Sequence, residues 1–224
     1  MEKLVELYRK WAGSAPANVE KLAGAGSNRA YYRLTDSEGK TVIGVIGTSR
    51  DENHAFIYLA KHFAKRQLPV PHVLAVSVDE MCYLQTDLGV ISLFDAIRGG
   101  REAGGRYNLA EQELLRKTIK ELPNFQLRGA RGLDYSYCYP QAEFNEESVL
   151  FDLNYFKYCF LKATEIDFHE LKLQANFRMF AKDLTSEKIE AFQYRDFQAR
   201  NVMLDSKGNP HFIDFQGGRK GPYY

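Results

Sequence analysis

The sequence predicts an α+β chain in two parts: a β-rich half over residues 1–88 and a mainly helical half over residues 89–224. Three observations carry this expectation. Short β-type runs alternate with turn signals as far as Thr86, and beyond Asp87-Leu88-Gly89 the apolar spacing turns helical. The stretch YRDFQARNVMLDSKGNPHFIDFQGG, residues 194–218, then reads as loop, strand, turn, strand. A chain of 224 residues can bury a real core, as one large domain or as two small lobes.

The elements follow in order. MEKLVELYRKW is a charged amphipathic helix pattern rather than a signal peptide. VEKL, AYYRL and TVIGVIG read as strands separated by GAGSN and TDSEGK, a meander of hairpins. In DENHAFIYLAKHFAKRQ, Phe56, Leu59, Ala60, Phe63 and Ala64 recur at helical spacing, with Asp51 or Ser49 as the cap, and Pro69 and Pro71 end the helix. VLAVSV and MCYLQT complete the β-rich half. RGGREAGGRYN, residues 98–108, is Gly-rich and basic and is expected to be a solvated loop. Helices are expected near residues 110–122, 146–162 and 167–182. In the middle one Asn145 is the cap, Glu146 and Glu147 suit the positive helix end, and Val149, Leu153, Phe156 and Phe160 should form the buried stripe.

Composition narrows the function classes. A formal net charge of +1 gives no overall basic field, which argues against nucleic acid or an anionic membrane as the main partner. No apolar run approaches the length of a membrane span. Three widely spaced cysteines without a CxxC suggest buried, reduced thiols and hence a reducing, cytoplasmic setting. The five histidines show no metal-ligand spacing.

The last hairpin carries the chemistry. Pairing residues 202–204 with 211–213 across Ser206-Lys207-Gly208-Asn209 sets Leu204 opposite His211, Val202 opposite Ile213, and Asn201 opposite Asp214. Directly opposed side chains share a face at roughly 5 Å, so the Asp214 carboxylate and the Asn201 amide oxygen should converge. Two such oxygens make a partial shell for a hard divalent cation such as Mg²⁺. Asp196, in the loop just upstream, stands where a general base would.

This segment resembles the catalytic loop and metal-binding segment of protein-kinase-like phosphotransferases, and more narrowly the aminoglycoside phosphotransferase and choline kinase group. Within that group, RDFQARNVM followed by IDFQ and Gly221-Pro222 is most similar to the anomeric kinases of N-acetylmuramate and N-acetylglucosamine. AGAGSNRAYYRL resembles the phosphate-covering turn of that branch. The resemblance implies a two-lobe fold with ATP between the lobes, and a helical lobe that continues past Gly221-Pro222 in a longer parent chain. It implies Asp196 as the base and Asn201 and Asp214 as metal ligands. Gly24, Gly26, Ser27, Asn28 and Arg29 would form the phosphate site, with Gln85 and Asp87 at the adenine-contacting hinge. Asp152, Gln198 and Arg200 would lie toward the acceptor and the transferring phosphoryl group. The acceptor would be a hydroxyl of a small polar molecule, an amino sugar or an amino alcohol. Two departures stand out: TVIGVIG lacks the strand-three lysine, for which Arg29, Arg33 and Arg50 are the substitutes on offer, and Tyr194 replaces the histidine that opens the catalytic loop. The missing lysine also keeps open a kinase-like regulatory module that holds nucleotide without transferring phosphate.

Overall fold

The computed structural model describes residues 1–23, 28–186 and 191–223. β1 (Asn18–Lys21), β2 (Ala30–Thr35), β3 (Thr41–Ile46), β4 (Val73–Val76) and β5 (Cys82–Thr86) form one antiparallel sheet in the order β1-β2-β3-β5-β4. The pleat sends Ile43, Val45 and Tyr83 to one face and Val42, Cys82 and Leu84 to the other. Each face is covered by one helix. α1 (Glu2–Ala12) brings Leu4 and Tyr8 onto the second face. The approach there needs Gly44, since a Cβ on it would meet the Leu4 and Leu34 side chains at 2.6–2.8 Å. α2 (Arg50–Lys65) lays Phe56, Leu59, Ala60 and Phe63 on the first face, and Ser49 rather than Asp51 is its cap, its hydroxyl accepting from Glu52 N at 3.3 Å.

The second half holds α3 (Leu93–Ala96), α4 (Arg98–Glu102), α5 (Leu109–Pro123), α6 (Glu146–Phe156) and α7 (Glu170–Leu184). Four short strands follow: β6 (Ala191–Gln193), β7 (Val202–Leu204), β8 (Pro210–Phe212) and β9 (Arg219–Gly221). β6 pairs with β9 and β7 with β8. The chain enters this half tied to the hairpin, because Ile91 O accepts from Leu204 N at 2.9 Å and Ser92 bridges Met203.

Three expectations change here. The stretch from Arg98 is not all loop: α4 forms, and Glu111 explains why, its carboxylate accepting from Gly100 N and from Asn108 N at 2.9 Å each. α6 does not bury Phe156 or Phe160, which are exposed; the inward row is Val149, half-buried Leu153 and Lys157. After Phe156 the helix widens into a π-turn over Lys157–Leu161, which shifts the phase of everything beyond it. Finally, Cys82 and Cys138 are buried but Cys159 is exposed.

One hydrophobic cluster runs through both halves. Phe63 of α2 meets Phe125, Phe192 and Phe215 edge to face at centroid distances of 5.4, 5.0 and 5.4 Å, and Phe56 stacks on Phe215 at 5.2 Å. Phe215 follows Asp214 in sequence, so this aromatic core anchors the segment that carries that carboxylate. Among the described residues, no helix is long and apolar enough to cross a membrane.

Candidate active site

The hairpin forms, one residue out of the expected register. Val202 pairs with Phe212, Met203 with His211 and Leu204 with Pro210. The turn is longer than expected because Asp205 belongs to it: its carboxylate accepts from the backbone N–H groups of Lys207 and Asn209 at 2.8 Å each and from Asn209 Nδ2 at 2.9 Å. The partner of Asn201 is therefore Ile213, whose N–H donates to Asn201 O at 3.0 Å. A slip of one residue in a regular strand would send Asp214 to the opposite face. It does not, because Asp214 adopts φ 63, outside the strand region, and the alternation breaks there. Asn201 Nδ2 then donates to Asp214 Oδ2 at 3.2 Å and to Asp196 O at 3.0 Å. With Nδ2 so engaged, Oδ1 is the atom Asn201 offers to a cation. Tyr194, buried, donates its hydroxyl to Ile213 O at 2.7 Å and so ties the loop to the strand that precedes Asp214.

Asn201 and Asp214 open onto a cleft of about 350 Å³ between the sheet and the hairpin. β3 shows this cleft Ile43, and the positive charge comes instead from Arg29 at the entry to β2. The Arg29 side chain is 2% exposed, and its Nη2 lies 3.1 Å from Glu52 Oε1, one turn into α2. Gln216 Nε2 lies 3.4 Å from the same Glu52 oxygen and 2.7 Å from Asp214 Oδ1. Arg29, Glu52, Gln216, Asp214 and Asn201 thus form one connected polar row. Gln85 and Asp87 line the cleft where the sheet hands over to the second half. Asp87 is gripped by Arg33, at 2.6 Å from Nε and 3.2 Å from Nη2, and Arg33 Nη2 also reaches Gly89 O at 3.2 Å. Gly89 has φ 87, a conformation other side chains would strain. Gln198 and Arg200 stand at the same cleft, Arg200 placed 3.8 Å over the Phe94 ring. Arg50 stays away, exposed and paired with Glu80.

Asp196 faces a second depression of about 390 Å³, lined also by Asp152, Gln126, Phe144 and Tyr223. Asp152 pairs with Arg195 at 2.8 Å, and Arg195 packs over the Phe144 ring at 5.4 Å. Although Asp196 is exposed at the wall, the protein packed around its carboxyl raises its pKa above the ordinary aspartate value, and the charge of Asp214 adds to this.

The sequence-predicted residues therefore divide between two adjoining hollows: Arg29, Gln85, Asp87, Gln198, Arg200, Asn201 and Asp214 at the first, Asp152 and Asp196 at the second. Asn28 is exposed and lines neither. Gly24, Gly26 and Ser27 lie outside the described residues. Sequence reasoning missed Glu52 and Gln216. Glu52 could have been suspected as an acid in the first turn of the helix after β3; Gln216 stood in the IDFQ stretch without a role of its own. Among the described residues no group of three or more His, Cys, Asp or Glu could hold a metal ion. The oxygens present fit instead a cation that takes a carboxylate, an amide oxygen and the remainder from water and phosphate.

Known proteins share the family and the fold of this chain. Residues 18–224 match the family described as Phosphotransferase enzyme family. A curated relative, the N-acetylmuramate/N-acetylglucosamine kinase of Pseudomonas aeruginosa, is 25% identical over 215 residues, 95% of this chain and 59% of that protein. The chain thus spans less than two thirds of the length of that relative. Among solved structures, choline kinase LicA from Streptococcus pneumoniae superposes with a TM-score of 0.64 at 12% identity, over all of this chain and 71% of that one. The streptomycin–ATP–APH(2")-IIa ternary complex gives 0.61 at 11% identity, over 99% and 72%.

Proposed function

The chain belongs to the phosphotransferase enzyme family, and from that premise we propose that it transfers the γ-phosphoryl group of ATP to a hydroxyl of a small polar acceptor, an amino sugar or an amino alcohol. The observation that carries this is the meeting of Asn201 and Asp214 at 3.2 Å, with Asn201 also bonded to Asp196 O, on the border between two hollows. One hollow suits a nucleotide and the other an acceptor. Arg29, fixed by Glu52, sets a buried positive charge where phosphates would lie. When bound, a divalent cation such as Mg²⁺, held by Asn201 Oδ1 and the Asp214 carboxylate, would offset the charge of the phosphates.

Asp196 takes the proton of the acceptor hydroxyl as its oxygen bonds to the γ-phosphorus and the bond from that phosphorus to the bridging oxygen breaks, releasing ADP. Asp152 and Arg195 beside it present a carboxylate and a guanidinium, which suit a molecule carrying several hydroxyls. The kinase of muramate and glucosamine derivatives among the relatives supports a sugar over other alcohols. The charge balance supports a small-molecule acceptor rather than nucleic acid or membrane, and the three widely spaced cysteines support a cytoplasmic setting.

The test is a screen of sugars and amino alcohols for ATP-dependent phosphorylation, repeated with Asp196→Ala. Turnover should fall by about 10² to 10⁴ while ATP binding is kept. Unchanged rates in the variant would remove Asp196 from the chemistry, and nucleotide binding with no product across the screen would favour the regulatory module.

A further inference from the structure

The mechanism above leaves Gln216, a buried polar group of the cleft, without a task. Gln216 is 9% exposed and sits between two carboxylates, with Nε2 2.7 Å from Asp214 Oδ1 and 3.4 Å from Glu52 Oε1. Carboxylates only accept hydrogen bonds, so the amide can face them only with its NH₂ end, and its orientation is fixed by chemistry. Oε1 must then point the other way. It is buried, has no hydrogen-bond partner among the described residues, and belongs to a side chain that lines the nucleotide-sized cleft. A buried acceptor left without a donor is unusual and calls for an explanation.

We infer that Gln216 is a positioning residue for the divalent-cation site: Nε2 holds the Asp214 carboxylate in place, and Oε1 accepts a hydrogen bond from a water of the cation's hydration shell. The inference rests on the nucleotide and cation reading proposed above and adds the residue that links its parts. Water bound to a cation turns a lone pair to the metal and its hydrogens outward as strengthened donors, so an acceptor is the group that suits it. Asp214 needs holding, because φ 63 takes it off the strand path, and Asn201 Nδ2 reaches only its Oδ2, leaving Oδ1 to Gln216. An amide does this without adding a third negative charge beside Asp214 and Glu52. Glu52 in turn holds Arg29 through its own ion pair at 3.1 Å, so the phosphate-facing cation keeps its partner whatever stands at 216.

The experiment follows thermal stabilisation of the chain by a non-hydrolysable ATP analogue, in a Mg²⁺ titration and in EDTA, for the wild type, Gln216→Met and Gln216→Asn. Met keeps the volume without polar atoms; Asn keeps the amide but is one carbon too short. Both variants should need about tenfold more Mg²⁺ for half the effect, while stabilisation in EDTA stays at the wild-type value. An unchanged Mg²⁺ requirement, or equal weakening in EDTA, overturns the role. If neither variant folds, Gln216 serves the fold instead and the inference falls. A wild-type chain that shows no Mg²⁺-dependent stabilisation refutes the nucleotide and cation reading itself, which distinguishes the two failures.

Discussion

A guanidinium whose side chain is 2% exposed must be compensated, and Glu52 does this for Arg29 while keeping 29% of its own side chain in contact with solvent. Removing one partner of a fully buried pair costs about 3–5 kcal/mol. Glu52 can still be reached by water, so Arg29→Met should destabilise by less, about 2 kcal/mol by urea titration. It should also weaken ATP binding, with Arg29→Lys recovering only part because lysine lacks the planar fork. Asp196 gives a second expectation. Its folded pKa is raised by burial and by Asp214, and the active form is the carboxylate. The acid limb of kcat/KM should therefore fall at a pH above the ordinary aspartate value of about 3.9 and disappear in Asp196→Asn. At this scale the hairpin reading foresaw that Asn201 and Asp214 meet, but for the wrong register: strand pairing sets Asn201 against Ile213, and it is φ 63 at Asp214 that brings the two side chains together. It did not reveal Gln216 with Glu52, which are 164 positions apart, since no spacing rule reaches across that distance.

Elements succeeded or failed on local chemistry. The β7–β8 hairpin was legible in outline, but its register depends on whether Asp205 ends the strand or begins the turn, and its three hydrogen bonds to Lys207 and Asn209 decide for the turn. The same bonds, Asn209 N–H foremost, hold the Asp205 carboxyl down to about 2. The unfolded value is about 3.9. The stability it contributes is therefore complete above about pH 3.9 and is lost as pH falls through about 2. Denaturant midpoints of the wild type and Asp205→Ala should differ at pH 5 and draw together across that window. α6 shows the opposite case, where helical spacing pointed to Phe156 and Phe160 and the structure turned Lys157 inward to meet Glu170 at 3.3 Å. Periodicity finds an apolar stripe; it does not say how far a helix is covered, nor where a π-turn will rotate it.

Across the molecule, the order of a sheet followed by helices and a late hairpin was readable from pattern alone. What pattern could not show is that Phe56, Phe63, Phe125, Phe192 and Phe215 join the halves in one core. Phe63→Ala should accordingly cost about 3–5 kcal/mol and shift a single unfolding transition, monitored by circular dichroism and by fluorescence of Trp11, rather than split it in two. Arg33 has a last consequence. It pins Asp87 and Gly89 to the sheet, while Ile91 and Ser92 are stitched to β7. Any tilt of sheet against helices must then be absorbed by the torsions of Gly89 and Val90, a pivot two residues long. The aromatic core shared by the two halves opposes a wide swing about that pivot, since opening it would expose Phe56, Phe63 and Phe215 to water.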